Sequence, residues 1–331
     1  MVLLGAGLLL AALVNLSLGS VTVPPAGVFA SLTGGPVADE AWRTIVVDYR
    51  LPKALTAALA GGALSVSGLL MQTFFRNPLA GPFVLGISSG ASLGVAVLVL
   101  GGGLLGEGFV AATAGLGPVV AATLGSTALL TVVLAVAYRV RDAMTVLIVG
   151  LMFGSMTGAL VGALSVFAPA GQLQRYVLWG LGSLGSLGWG DLAVLGTVVA
   201  VGLGLATASL KALNLLLLGE DYARSAGLAL RRSRALILLA TGLLAGGVTA
   251  YAGPIAFVGL AVPHLTRQLV RTADHRVLGP AVFLTGAVLL LLCDTLAQLP
   301  GTAYVLPINA VTAVAGAPVV IWLLLRRKML F

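Results

Sequence analysis

The chain has 331 residues, a length that would suit two soluble domains, but its composition excludes a soluble protein. Hydrophobic residues make up 59% of the sequence and charged residues only 8%, whereas soluble domains carry about 25% charged residues. A disordered chain is excluded as well, because such chains combine low hydrophobicity with high net charge. The sequence therefore predicts an integral membrane protein.

Continuous apolar runs, such as 3–16 and 194–210, predict α-helices and not the alternating strands of a membrane β-barrel. We predict an all-α, polytopic membrane protein whose residues 1–331 form a single transmembrane domain. The expected architecture has about ten spans of which the eighth is short, namely 2–19, 50–73, 83–101, 109–138, 144–167, 190–210, 233–251, 256–272, 277–297 and 308–326.

The net charge of +8 is explained by membrane topology and needs no nucleic-acid partner. Ten spans place both termini on one side, which we take as the cytoplasm. Of the 18 Lys and Arg residues, fourteen then lie on the cytoplasmic side, as the positive-inside rule requires. The outer side holds Arg43, Arg50, Lys53 and Arg175.

Three segments lie outside the predicted spans. Segments 20–49 and 168–189 are expected on the outer side, the second with a short interfacial helix over 172–181. Segment 211–232 is the longest on the inner side. Its apolar part is too short to span the bilayer, and Gly219 interrupts it, so we predict two short helices at the membrane surface.

Two similar segments, 80–86 and 252–259, precede the third and eighth spans on opposite predicted sides. This arrangement is typical of the inverted-topology repeats of transporters. A chance match is the alternative, since the chain contains 45 glycines and 14 prolines.

No motif in its required context indicates nucleotide, metal or catalytic chemistry. Segments 101–106 and 180–185 match Gly-x-Gly-x-x-Gly formally, but neither follows a strand or opens a dinucleotide-binding unit. The sequence contains no Gly-x-x-x-x-Gly-Lys-Ser/Thr phosphate loop and no paired-carboxylate or metal-ligand pattern, so we predict no cofactor and no enzyme activity. His264 is interpreted as a buried helix-packing residue, and His275 is placed in an inner loop. The single Cys293 is interpreted as a small packing residue.

The fifth span carries a stripe of glycines at a spacing of four residues, which puts them on one helix face. The stripe is compatible with tight helix packing and with a smooth wall of a solute path, and these interpretations stay open together. It consists of Gly150, Gly154, Gly158 and Gly162.

Asp294 is an acidic residue placed inside a span, which makes a proton relay one hypothesis for its role. A relay needs further titratable groups in series, and none accompanies Asp294 in its helix. We therefore favour a structural hydrogen bond near the outer end of the span.

A set of motifs resembles the permease family of ATP-binding cassette (ABC) importers for iron–siderophores, haem and vitamin B12, the FecCD type. Together the motifs cover the chain from about residue 50 to residue 326, in the order of the family. They lie at 50–53, 61–72, 76–80, 85–91, 219–227, 253–260, 263–267, 306–307 and 316–318.

The resemblance implies the type II importer architecture. A permease of this type pairs with a second copy of itself, two cytoplasmic ATPases and one extracytoplasmic solute-binding protein. It would lie in the bacterial cytoplasmic membrane and translocate an iron chelate or cobalamin by alternating access. An ion-coupled secondary transporter is the alternative, which Asp294 alone supports poorly.

The resemblance also assigns roles to single residues. It implies that Arg50 and Lys53 face acidic residues of the binding protein, although the family usually has Arg at the position of Lys53, and some members have Arg at the position of Gln298. It further implies an ATPase-coupling role for residues Gly219, Glu220, Asp221, Ala223, Arg224 and Gly227.

Overall fold

The computed structural model describes residues 1–106, 108–109, 117–140, 143–302 and 304–325, and within these ranges every regular element is helical. Its longer helices are labelled here in chain order. They are α1 (Val2–Ser17), α2 (Leu51–Phe74), α3 (Ile87–Leu100), α4 (Pro118–Arg139), α5 (Ala143–Phe167), α6 (Trp189–Ala208), α7 (Leu230–Ala252), α8 (Val258–Val270), α9 (His275–Ala297) and α10 (Ile308–Leu325).

Each of the ten predicted spans coincides with one of these helices. Six of them, α2, α4, α5, α6, α7 and α9, are long and apolar enough to cross a bilayer, so the chain is a multi-pass membrane protein. Helices α1, α3 and α10 are apolar but shorter, and α8 has only 13 residues. The count of ten spans therefore stays a prediction. Residues 110–116 of the predicted fourth span lie outside the described residues.

Helix α2 is the central element of the fold, and small residues let its neighbours approach it closely. A Cβ atom on Gly61 would overlap with the backbone carbonyl of Gly286 in α9. A Cβ atom on Gly68 would overlap with the carbonyl of Gly259 in α8. Most of α2 is consequently buried, whereas α5 lies at the periphery with most of its surface exposed.

The two similar segments found in the sequence lead into the short helices α3 and α8. Both helices begin directly after a residue with left-handed backbone, Gly86 at φ 73° and Phe257 at φ 66°. The two segments also pack together, since a Cβ atom on Gly259 would touch the ring of Pro82. Broken or short helices that meet in this way are typical of inverted repeats in transporters, and the repeat itself stays a prediction.

The segments between the spans contain short helices. Segment 20–49 contains helix Pro25–Thr33, and a helix from Glu40 runs without a break into α2 through a π-helical stretch, Ile45–Arg50. Helix Ala170–Gly180 confirms the helix predicted in the second outer segment. In the inner segment, helices Leu210–Leu217 and Glu220–Ser225 flank Gly219, which confirms the predicted interruption.

The contact of α2 with α8 predicts a stability effect. Gly68→Ala should destabilise the protein by about 1–3 kcal/mol, because the added methyl group has no space beside Gly259. The measurement is the thermal unfolding midpoint in detergent micelles. Gly5→Ala is the matched control, since no atom lies within 4 Å of the added carbon there. Equal midpoints for the two variants would contradict the packing described for α2.

Candidate functional site

Segment 211–232, which the sequence predicts on the inner side and which we call the coupling segment, has an exposed polar face. Ala223 is fully buried and fixes the helix Glu220–Ser225 to the protein, whereas the side chains of Asp221, Tyr222 and Arg224 are exposed. Gly219, at φ 107°, has a backbone conformation that other residues rarely adopt. The turn at Gly219 thus separates a partly buried first helix from a second helix on which Asp221 and Arg224 are exposed.

Glu220 differs from its neighbours because its carboxylate is bound inside the protein. The guanidinium of Arg234 in α7 donates from Nη2 to both carboxylate oxygens, at 2.7 and 2.6 Å. The side chain of Arg234 is 8% exposed and that of Glu220 31% exposed. A charge pair with this burial anchors the second helix of the coupling segment to α7.

A second anchor joins the first helix of the coupling segment to α9. The amide of Asn214 donates to the carboxylate of Asp274 at 2.7 Å, and its oxygen accepts from the backbone N–H of His275 at 3.0 Å. The backbone N–H of Arg276, together with the Asn214 amide, lowers the pKa of Asp274 below its usual value. His275 in turn lies 2.8 Å from the hydroxyl of Thr73 at the inner end of α2.

The structure divides the glycine stripe of α5 into two halves. Gly150 is buried against the 3-10 helix Pro82–Leu85, and a Cβ atom there would overlap with the carbonyl of Val84. A Cβ atom on Gly154 would lie 3.4 Å from the hydroxyl of Ser89, whereas a Cβ atom on Gly158 or Gly162 would have no described atom of another element within 4 Å. Tight packing therefore accounts for the first half, and the second half leaves an open surface.

Arg50 lies at the junction of the outer segment and α2, with its side chain inside the protein. The residue is 7% exposed. Its guanidinium donates to the backbone carbonyls of Leu16, Ser17 and Val21, at 2.7 Å in the case of Leu16. These carbonyls belong to the end of α1 and the turn that follows, so Arg50 holds the first helix against the second.

Lys53 forms a buried ion pair with Asp294, with 3.0 Å between Nζ and Oδ1. The other carboxylate oxygen of Asp294 accepts from the amides of Asn15 and Gln298, each at 2.9 Å. Asp294 is thus a structural centre that joins α1, α2 and α9, as favoured from the sequence. Lys53 is 18% exposed and reaches the surface more than Arg50 does.

An outer cavity of about 580 Å³ lies beside this ion pair. Lys53 and Asp294 line one side of it, and the outer segment 168–189 lines another. The outer segment is held in place by two hydrogen bonds, from the backbone N–H of Ser183 to the carbonyl of Ala252 and from that of Asn309 to the carbonyl of Leu181. The cavity is therefore bounded by α2, α9 and the residues before α10.

Several of the hydrogen bonds that connect the helices could not be predicted from the sequence. His275 is placed in a loop by the sequence, but it is the fully buried first residue of α9. Asp274 precedes a helix and is recognisable as an N-cap. Its partner Asn214 lies 60 residues away and has no local signal. The interpretation of His264 is confirmed, because its ring nitrogen Nε2 lies 2.7 Å from the carbonyl of Pro78.

The six long apolar helices, packed with shorter ones around α2, define a multi-pass membrane protein. Residues 7–326 match the model of the FecCD transport family, and the chain belongs to this family. The resemblance drawn from the motifs is thereby confirmed.

Named relatives and a solved structure agree with the family. The chain is 36% identical to the hemin transport system permease protein HmuU of Yersinia pestis, over 97% of this chain and 95% of the relative. It is 38% identical to the vitamin B12 import system permease protein BtuC of Klebsiella pneumoniae subsp. pneumoniae, over 97% and 92%. A metal-chelate type ABC transporter in an inward-facing conformation superposes with a TM-score of 0.84 at 27% identity, over 98% and 97% of the two chains.

These matches give no support to an ion-coupled secondary transporter. The alternative rested on Asp294 as a titratable group within a span. Its carboxylate is held by Lys53, Asn15 and Gln298, which suits a structural role.

The divided glycine stripe predicts different effects for two leucine substitutions. Gly150→Leu should prevent correct folding, because its side chain would overlap with Val84 and Leu85. Gly158→Leu should leave the chain folded and block either transport or association with a second copy. Size-exclusion chromatography and solute uptake measure the two effects. Normal uptake by Gly158→Leu would contradict any role of the open half.

Burial of Arg50 predicts that its substitution acts first on stability. Arg50→Glu should destabilise the protein by about 3–5 kcal/mol, since it leaves a buried charge beside three carbonyl groups. Lys53→Met should cost less, because Asp294 retains two amide donors. Thermal unfolding in detergent measures both changes. An Arg50→Glu variant as stable as the parent protein would contradict the anchoring role.

Proposed function

We propose that this chain is the permease subunit of an ABC importer that moves a metal chelate, such as an iron–siderophore or haem, or cobalamin across the cytoplasmic membrane. The observation that carries the proposal is the coupling segment of a FecCD-family chain, anchored on α7 and α9 with Asp221 and Arg224 exposed. The names of HmuU and BtuC and the metal-chelate transporter structure support the solute class.

The ATPase and the binding protein are separate subunits in this proposal. The chain has no phosphate-loop sequence, so ATP is hydrolysed by two cytoplasmic ATPases that contact the exposed face of the coupling segment. One extracytoplasmic binding protein delivers the solute to the opposite side. The distribution of Lys and Arg supports an orientation with both termini in the cytoplasm of a bacterium.

A second copy of the chain completes the solute path. The open half of the α5 stripe, with Gly158 and Gly162, supports a surface that faces either the path or the second copy. The exposed side chains of Met152 and Met156 on the same helix add an apolar area that the single chain leaves uncovered. The lipid bilayer covers the remaining apolar surface.

Alternating access then follows from the two anchors of the coupling segment. Closure of the ATPases on ATP moves the segment, and its anchors pass this movement to α7 and α9. Packed helices switch between discrete arrangements and do not deform continuously, so the path opens to one side at a time. In this scheme Lys53 and Asp294 form part of the outer cavity where the binding protein docks, while Arg50 supports them from inside.

Reconstitution tests the proposed function. The permease, its ATPases and its binding protein are placed in proteoliposomes, and haem, a ferric siderophore and cyanocobalamin are offered separately. Uptake of one of them should require ATP and the binding protein and should persist when a protonophore removes the proton gradient. Uptake that needs no ATP and is abolished by the protonophore would contradict the proposal.

The exposed face of the coupling segment gives a further prediction. Arg224→Glu should lower ATP-driven uptake about tenfold, which corresponds to about 1.4 kcal/mol of lost interaction with an ATPase. Folding should be unaffected, because the side chain is exposed. Arg224→Lys, which retains the positive charge at the same exposed position, is the control in the same assay. Unchanged uptake by Arg224→Glu in a fully assembled complex would remove Arg224 from the ATPase contact.

A further inference from the structure

Within the described residues, side-chain polar links tie the coupling segment to the spanning helices at three places. Arg231 donates to the backbone carbonyl of Tyr138 in α4, at 3.2 and 2.8 Å. Glu220 binds Arg234 of α7, and Asn214 binds the start of α9.

The link through Glu220 continues to the end of α4, where Arg234 donates to the carbonyl of Val140 at 3.4 Å. The link through Asn214 continues into α2, because His275 also reaches Thr73. The hydrogen-bond chain from Asn214 through His275 to Thr73 therefore joins the coupling segment to two spans at once.

The chemistry of this chain fixes each donor and acceptor. The amide nitrogen of Asn214 donates to Asp274, so the amide oxygen is the atom that faces His275. That oxygen lies 2.7 Å from Nδ1, which must carry the ring proton in order to donate to it. The other ring nitrogen, Nε2, then accepts from the hydroxyl of Thr73 at 2.8 Å. Because His275 is fully buried and both ring nitrogens are bonded, the chain is stiff.

Helices α2 and α9 are also held together along the whole width of the membrane. Thr73 meets His275 at the inner end, and Lys53 meets Asp294 at the outer end. Between these two contacts, Gly61 lies so close to Gly286 that a Cβ atom would overlap with its carbonyl. The 20 residues from Lys53 to Thr73 span roughly 30 Å of helix, about the thickness of the hydrocarbon core. The two helices are thus fastened at three levels.

We propose that Asn214 is a positioning residue through which the coupling segment moves α2 and α9 as one rigid strut. A displacement of the segment at the cytoplasmic face is then transmitted to the Lys53–Asp294 pair and to the outer cavity that this pair lines. This inference rests on the proposed function, because it supplies the route from the ATPase side to the binding-protein side.

Substitutions along the chain test the strut in the reconstituted complex. The quantity measured is the number of solute molecules taken up per ATP hydrolysed. Asn214→Ala should leave ATP hydrolysis unchanged and lower this ratio roughly fivefold. A change of this size is typical of mutations that weaken the coupling between two distant sites. Thr73→Val should lower the ratio similarly, and Thr73→Ser, which retains the hydroxyl, should restore it.

Thr241→Val is the matched control for Thr73→Val. Thr241 is a fully buried threonine of α7 whose hydroxyl bonds the carbonyl of Ile237 in its own helix. Its substitution removes a hydrogen bond of the same kind without touching the strut. A lowered ratio in Thr241→Val equal to that in Thr73→Val would overturn the proposal, because any lost threonine bond would then suffice.

Combining Asn214→Ala with Thr73→Val separates a shared route from two independent defects. If both act through His275, the double variant should have about the same ratio as either single variant. Multiplied losses, or wild-type ratios in both single variants, would overturn the strut. If Asn214→Ala fails to assemble, Thr73→Val and Thr73→Ser still test the strut. Equal ratios of uptake to ATP hydrolysis in these two variants would overturn it. Failure of the unsubstituted complex to take up solute with ATP would instead overturn the proposed function, and the strut with it.

Discussion

Close contact between the backbone of α2 and the helices around it is the constraint on which the rest of the structure depends. Lipid gives no hydrophobic force between helices, so their association relies on packing and on polar bonds. Gly61 and Gly68 permit this packing against α9 and α8. At these two crossings the backbones meet directly, and buried leucines such as Leu64 and Leu69 of α2 fill the space between them.

Bonds made by charged side chains also hold the helices together, in addition to their packing. A cation or carboxylate among the spans is costly unless a partner satisfies it, and the charged side chains that link helices here have such partners. Arg50 binds carbonyls at the end of α1, Lys53 binds Asp294, and Arg234 binds Glu220. These bonds lie at the ends of the spans, where they set how one helix is held against the next. Arg234 holds the coupling segment to α7, and the pair of Lys53 and Asp294 lines the outer cavity.

The sequence predicted the helical segments because each depends on a local run of apolar residues. It also predicted the interruption at Gly219 and the structural role of Asp294, which follow from residue type and position in the run. The partners of Arg50, Lys53 and His275 could not be predicted, since they come from residues distant in the chain. For the same reason the burial of Arg50 could not be foreseen. The docking roles of Arg50 and Lys53 both stay predictions.

A distance measurement along α2 and α9 tests the central claim of the account, that the two helices move as one body. Spin labels at the exposed positions Leu55 of α2 and Val277 of α9, in a Cys293→Ala background with one labelled protomer per complex, lie at opposite ends of the strut. A second pair joins Leu55 to the exposed Met152 of α5. Between the ATP-free and ATP-bound complexes, the first distance should stay constant while the second changes. A change in the Leu55–Val277 distance as large as that of the second pair would show that the helices slide past each other, and would contradict the strut.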